Sequence, residues 1–280
     1  MSDLNLDPTQ LDRYSRHIIM EDLGPDGQKA LLDASVLVVG AGGLGSPVIQ
    51  YLAAAGVGRV GIADADAVER SNLQRQIVHA DADVGRPKVE SAAEFVADLN
   101  PDVTVDPHEV RVTADNVEAF IADYDFVVDA SDNFETRFLI NDACTLAGQP
   151  FSHGAIYRFE GQVTTFAQRA DSPCYRCLFP EAPPAGEIPD CSEAGVLGVL
   201  PGTVGCIQAT ETVKWILEDA GLADESELLD GRLLFYDAMA MDFEEVPIQP
   251  NPDCPVCGDD PAIDSVAEVE YVETCAIGAD

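Results

Sequence analysis

The chain has 280 residues, 46% of them hydrophobic, which suffices for one large α/β core or a core with a small appendage and excludes two equal domains. Against 15 basic residues stand 51 acidic ones, a formal net charge of −36, so the surface repels nucleic acid and anionic membrane. The acid is scattered through apolar-rich sequence, which implies a folded protein with a solvated acidic face, suited to a cytoplasm of molar salt where screening shortens to about 3 Å.

The start, MSDLNLDPTQLDRYSRH, has no apolar core of a signal peptide. The long uncharged run from Ala34 to Gly58 holds six glycines and a proline and reads as strand, loop and helix rather than a membrane span. A cytoplasmic protein is expected, in which eight cysteines point to metal or thiol chemistry before disulfides.

In chain order, helical apolar spacing runs from Gln10 to Leu32, followed by a strand at Ser35 to Val39 and a helix after Gly43. A strand at Arg59 to Ala63, a helix at Lys88 to Leu99 opened by Pro87, and a strand at Val103 to Val110 come next. A short helix near Asn116 to Ala122 leads to a strand at Asp125 to Ala130 and a helix through Arg137 to Leu146. This alternation predicts a Rossmann-like, doubly wound, mostly parallel sheet. From Pro150 the texture changes: FSHGAIYRFEGQVTTF reads as an antiparallel pair turning around Phe159 to Gly161. Pro180 to Pro189 reads as a mobile crossover loop; a helix at Val204 to Leu217 and strands at Arg232 to Tyr236 and Phe243 to Ile248 complete the chain.

Gly40, Gly42 and Gly45 in VVGAGGLGSP satisfy G-x-G-x-x-G after a strand and at a helix start, and Asp64 follows 19 residues beyond Gly45 at the end of the next strand. This is the dinucleotide fingerprint, with backbone and helix N-terminus facing phosphate and a carboxylate for the ribose. Ser46-Pro47 in place of Lys-Ser/Thr excludes a P-loop. Eight of the fifteen basic residues precede position 90, and Arg75 and Lys88 lie on connections after strands, where ligands dock in open α/β sheets. Arg59 and Arg70 read as ordinary solvated arginines. In DASDN, Asp129 ends a strand, whereas Asp132 is either a helix N-cap or a Mg2+ ligand. Glycines, a ribose carboxylate, cations and a metal-binding aspartate together describe ATP used for adenylyl transfer.

The segments RYSRHI, VVGAGGLGSP, SNLQRQ, GRPKVESA, DASDNFETR, PCYRCLFP and NPDCPVCG together resemble the HesA/MoeB/ThiF family, over roughly residues 10 to 260. The resemblance implies ATP-dependent adenylation of the C-terminal glycine of β-grasp proteins, ubiquitin-like modifiers or sulfur carriers that end in Gly-Gly. It implies one adenylation domain: an N-terminal helical segment at 1–33, a nucleotide-binding half at 34–150, a carrier-binding half at 151–260 containing a crossover loop at 178–194, and an acidic tail at 261–280. Gly40, Gly42, Gly43 and Gly45 would lie against the nucleotide and Asp64 on the ribose, with Asp66 and Asn72 beside them. Arg75, Gln76 and Lys88 would contact phosphates and Asp132 would hold Mg2+. Arg16, from the second arginine of RYSR, would reach the ATP of the other subunit of a homodimer.

Cys174-x-x-Cys177 and Cys254-x-x-Cys257 form two proline-flanked knuckles whose spacing favours a structural Zn2+, with redox pairs as the alternative. Cys144 and Cys206 read as small core residues, and Cys275 has no assignable role. Cys191, in PDCSEAGV, is either a solvent-facing loop thiol or, by the resemblance, the thiol that accepts the activated carrier; Asp190 and Glu193 oppose a lowered pKa there. His79 and His153 read as satisfied structural histidines. The chain ends too soon after Cys257 for a rhodanese-like domain, so a sulfur donor would be another protein. A tRNA threonylcarbamoyladenosine dehydratase would share the ATP site, but the acidic chain offers RNA no basic face. An NAD-dependent oxidoreductase leaves Arg75, Lys88 and the cysteine knuckles without a task, and a zinc-stapled scaffold leaves the glycine loop without one.

Overall fold

Two short apolar runs, SVLVV and RVGIA, each followed by a turn, become β1 (Ser35–Val39) and β2 (Arg59–Ala63), buried along nearly their whole length. Such runs, rather than alternating ones, mark strands covered on both faces. The computed structural model describes residues 6–182, 195–224 and 227–271. β3 (Thr104–His108), β4 (Phe126–Asp129), β5 (Phe151–Tyr157), β6 (Glu160–Phe166), β7 (Arg232–Asp237) and β8 (Asp242–Pro247) complete one sheet in the order β3-β2-β1-β4-β5-β6-β7-β8. The strands from β3 to β5 pair in parallel and those from β5 to β8 antiparallel, the expected doubly wound sheet continued by antiparallel strands. The outer strand β8 is exposed throughout and carries Asp242, Glu244 and Glu245, charges that discourage further strand pairing.

Helices cover both faces. α3 (Gly24–Asp33), α4 (Gly45–Ala55), α5 (Lys88–Leu99) and α9 (Leu200–Asp219) border the larger core, in which Val38, Ile49, Leu52, Ile62 and Phe126 are fully buried. α6 (Val117–Ile121) and α7 (Phe134–Ala147) cover the other face over Leu37, Val127, Ile140, Phe151 and Phe166. The strand order reverses direction between β1 and β4, leaving a crevice at the carboxyl ends of those strands.

The expected helical stretch from Gln10 to Leu32 is three helices, α1 (Pro8–Arg13), α2 (Ser15–Ile18) and α3. Tyr14 leaves helical geometry between the first two, and Gly24, at φ 64, starts the third in a new direction. Tyr14 is buried; its hydroxyl donates to Asp102 Oδ2 at 3.1 Å and accepts from Asn100 Nδ2 at 2.9 Å, fastening the N-terminal segment to the end of α5. The left-handed Gly56 that ends α4 (φ 84) leaves room for this ring, since a Cβ there would lie 2.6 Å from it.

Residues 261–271, within the stretch read as an acidic tail, fold back onto α7: Val266 is buried and Tyr271 Oη donates to Asp142 Oδ2 at 2.9 Å. Asp142 is itself clamped at 2.7 Å by both Nε and Nη2 of Arg176, which lies in α8 (Tyr175–Leu178) and over the Phe138 ring. Asp142→Ala strands a buried guanidinium and will lower unfolding free energy by about 3–5 kcal/mol. A denaturant midpoint that stays at the wild-type value would contradict that account of the clamp.

Candidate functional site

At the crevice the chain leaves β1 through Gly40, whose φ of 102 suits glycine and whose N–H donates to Ala63 O at 2.9 Å. A Cβ on Gly40 would lie 2.7 Å from Ala130 O, and one on Gly45 only 1.9 Å from Gly40 O, so the turn from strand to α4 closes only without side chains there. Ser46 Oγ donates to Gly42 O at 2.7 Å, the local role of the serine that displaces a P-loop lysine. Gly40, Gly42 and Gly43 line the resulting cleft at the N-terminus of α4.

The Ala41 peptide is held from both sides. Its N–H donates to Asp64 Oδ2 at 2.8 Å, while Asp64 Oδ1 accepts from Asp66 N at 2.8 Å. Its carbonyl accepts from His79 Nε2 at 2.9 Å, and because a carbonyl only accepts, His79 carries its proton there and Nδ1 accepts from Ser91 Oγ at 2.9 Å. Burial pushes the His79 pKa down, keeping this neutral form, and burial pushes the Asp64 carboxyl up against the opposing pull of Lys88. Each Asp64 oxygen retains acceptor capacity beyond its backbone bond.

Lys88, the first residue of α5, is buried, with Nζ 2.7 Å from Asp66 Oδ2 and 3.8 Å from Asp64 Oδ2. Arg75 and Gln76 reach the same cleft from the segment after a 3-10 turn at Arg70–Asn72, and Gln76 Oε1 is buried without a partner. Asn72 does not line the cleft: its side chain accepts from Glu69 N at 3.0 Å and shapes the turn that delivers Arg75. Arg16 is exposed on α2 and does not line it either.

From β4, Ser131 and Asp132 complete the cleft. The N-cap of α7 is Asn133, which accepts from Thr136 N at 2.8 Å, so the N-cap alternative for Asp132 is excluded and its carboxylate stands exposed. Two further cationic residues, to which the sequence motifs assign no role, also line the cleft, Arg111 and Arg137. Arg137 sits on the first turn of α7, with Nη2 3.4 Å from Ser131 O and Nε buried without a partner. The signal for it was its place in DASDNFETR, four residues after the cap, on the side of the helix that faces back to the strand end. Among the described residues, four cations and three carboxylates (Asp64, Asp66, Asp132) thus face one cleft, a local positive excess in a chain of net charge −36.

The two knuckles do meet. Sγ of Cys174 lies 3.5 Å from Cys254 and 3.4 Å from Cys257, Cys177 lies 3.4 Å from Cys257, and all four sulfurs fall within 4.8 Å of one another. Zn–S bonds of about 2.3 Å give a tetrahedron with edges of about 3.8 Å, so the donor set fits a four-thiolate zinc site. Backbone N–H groups of Cys174 and Asn251 point at Cys177 Sγ, each at 3.4 Å, as suits a ligated thiolate. The cluster ties the segment at 254–257 to that at 174–177, next to the Asp142 clamp. Cys144 is buried as expected and burial pushes its thiol well up, whereas Cys206 is only half-buried and faces a surface groove. Cys191 and Cys275 lie outside the described residues. His79 and His153 are both satisfied, the latter by Asp129 at 2.7 Å. Arg59 is not simply solvated: its Nε donates to Asp106 at 2.6 Å and it covers the Tyr124 ring; Arg70, exposed, pairs with Asp81.

The sequence model of the ThiF family matches residues 14–256. The chain is 64% identical to the SAMP-activating enzyme E1 of Haloferax volcanii, over 99% of both chains. It is 50% identical to the sulfur carrier protein adenylyltransferase of Thermus thermophilus, covering 96% of this chain and 97% of that one. Among solved structures, that of E. coli MccB with MccA-N7isoASN superposes with a TM-score of 0.76 at 20% identity, over 92% of this chain and 77% of that one, a likeness of fold.

Metal-stripped protein titrated with Co2+ will take up about one equivalent and develop the visible absorption of tetrahedral thiolate coordination. Cys254→Ser will weaken that uptake; a titration without tetrahedral absorption would count against the site.

Proposed function

The chain belongs to the ThiF family, and on that premise we infer that it is an adenylyltransferase that uses ATP to activate the C-terminal glycine of ubiquitin-like or sulfur-carrier β-grasp proteins. The observation that carries this reading is the meeting of the glycine loop with Arg75, Lys88, Arg111 and Arg137 in one cleft of an otherwise acidic protein. A dinucleotide needs a ribose carboxylate and a glycine turn; it gives this concentration of cations no task.

In the reaction, an oxygen of the carrier's terminal carboxylate bonds to the α-phosphorus of ATP, the α–β phosphoanhydride bond breaks, and pyrophosphate leaves with its electron pair. The attack brings two anions together, so the barrier is electrostatic and positional. Asp64 accepts from the ribose hydroxyls, with Asp66 beside it, while Gly40, Gly42, Gly43 and Gly45 let the backbone approach the nucleotide. Lys88, able to exchange Asp66 for phosphate, joins Arg75 and the amide N–H of Gln76 as donors to the phosphates. Asp132, one exposed carboxylate beside a polyphosphate, suits Mg2+, which neutralises phosphate charge when bound. Asn72 contributes through the turn it shapes.

Arg16 would complete the site of a second subunit. Its exposure, and the apolar surface around Ile19, Tyr51, Ile77 and Val199 at 57% to 71% exposure, support a homodimer. Cys191 would take the activated carrier after adenylation, and conjugation or sulfur transfer would follow. The acidic surface supports a halophilic cytoplasm as the setting; among the described residues no helix is long and apolar enough to cross a membrane. The same charge opposes a tRNA-modifying dehydratase.

Isotopic exchange of pyrophosphate into ATP, in molar KCl, tests the reading. Exchange will require a carrier ending in Gly-Gly; carrier-independent exchange, or none, would overturn it. Asp132→Ala and Arg16→Ala will each abolish exchange, yet mixing them will restore about a quarter of wild-type rate, because half the dimers are mixed and one site in each is intact. Cys191→Ala will leave exchange intact and block later transfer.

A further inference from the structure

Behind the cleft, Asp129 and His153 are register partners on the parallel strands β4 and β5, at 0% and 3% exposure. His153 Nδ1 donates to Asp129 Oδ2 at 2.7 Å; the other carboxylate oxygen accepts from Ser131 Oγ at 2.5 Å and Ser131 N at 3.1 Å. The backbone carbonyl of Asp129 accepts from Gln208 Nε2 of α9 at 2.8 Å. On its other side the imidazole packs on the Tyr175 ring, centroids 4.7 Å apart, and Tyr175 N is held at 2.7 Å by Asn141 Oδ1 of α7. Neither Asp129 nor His153 lines the cleft, and the reaction as described uses neither.

A carboxylate taken out of water is costly unless every bond it makes is supplied, and an apolar pair of the same volume would fill this space at no such cost. What the pair holds accounts for its presence. Asp129 fixes Ser131 through two bonds, Ser131 is followed directly by the exposed Asp132, and the Ser131 carbonyl receives Arg137 Nη2 at 3.4 Å. Burial would raise the Asp129 carboxyl, but the hydrogen bonds from His153 and Ser131 and the charge of Arg137 hold it below the usual carboxylate range, while burial pushes the imidazole down and favours the neutral donor. It is therefore an ionised acceptor, the stronger kind, for the Ser131 turn.

We propose that Asp129 and His153 form a buried positioning pair for the adenylylation reaction: they fix the Ser131–Asp132 turn and, through the Ser131 carbonyl, aim the Arg137 guanidinium into the nucleotide cleft. The proposal rests on the adenylyltransferase reading for its kinetic arm only. Groups that position catalytic residues act on turnover more than on ground-state affinity, because small misplacements matter most in the transition state.

The test compares His153→Leu, which removes the donor, with His153→Asn, whose amide nitrogen occupies the place of imidazole Nδ1 and keeps it. Below melting, His153→Leu will lower kcat for carrier-dependent exchange about tenfold or more while KM for ATP changes by less than about threefold, and His153→Asn will recover most of the loss. Hydrogen exchange over residues 129–137, followed without substrate, will quicken in His153→Leu and return towards wild type in His153→Asn. If His153→Leu does not fold, the Asp129→Asn/His153→Leu double variant removes the stranded charge and will show the same fall in kcat. Equal losses in His153→Leu and His153→Asn, or wild-type kcat in whichever donorless variant folds, would overturn the proposal. Failure of the wild type to exchange at all would count instead against the adenylyltransferase reading, with the hydrogen-exchange arm still deciding whether the pair fixes the turn.

Discussion

On the proposed reading, a polyphosphate site in a chain of net charge −36 must be built against the field of its own protein. The cleft meets that constraint by gathering Arg75, Lys88, Arg111 and Arg137 from four separate segments around one glycine turn. Lys88 shows how such cations are kept: it is buried against Asp66 and Asp64, so the ammonium is stabilised in place, and on the proposed reading it would exchange Asp66 for phosphate. The acidic surface and the cationic cleft are thus two sides of one arrangement, in which anions are admitted where the backbone and these side chains converge and are repelled elsewhere.

The remaining architecture holds that convergence still. β1, β2 and β4 are buried strands whose ends cannot shift without disturbing the core, and they deliver Gly40, Asp64 and the Asp129–Asp132 turn. The Ala41 peptide is pinned by Asp64 from one side and His79 from the other. α7 runs from the cleft to Asp142, where Arg176 and Tyr271 fasten the cysteine cluster and residues 261–271 to the same helix. The cysteine cluster therefore secures, at a distance, the helix whose first turn carries Arg137.

What was legible in the sequence was what local patterns determine. Strand limits such as Ser35–Val39 and Arg59–Ala63 follow from apolar runs between turns, and the glycine loop announces itself because only glycine closes that turn. What escaped was decided by which side chain reaches which partner, near or far along the chain, and by backbone turns that apolar patterns do not register. Whether Asp132 or Asn133 capped α7 depended on which side chain reached Thr136 N, and both are good caps. His79 bonds a residue 38 positions away and His153 one 24 positions away, so their roles appear only once β1, β4 and β5 are aligned. Asn72, a nucleotide ligand by the motif, holds Glu69 N, and the 10–32 stretch breaks at Tyr14 and again before the left-handed Gly24, turns that periodicity does not register. The motif that contains Arg137 assigns it no task, because the direction of a first-turn side chain is set by the helix start.

The central claim is that the cleft is built for a triphosphate and not for a dinucleotide, and equilibrium binding of ATP and NAD+ to the same protein in molar KCl tests it most directly. The account predicts that Mg-ATP binds, that NAD+ neither binds comparably nor displaces it, and that Lys88→Ala weakens ATP by about tenfold or more through loss of a buried charge on phosphate. Tighter binding of NAD+ than of ATP, or ATP affinity indifferent to Lys88, would contradict it.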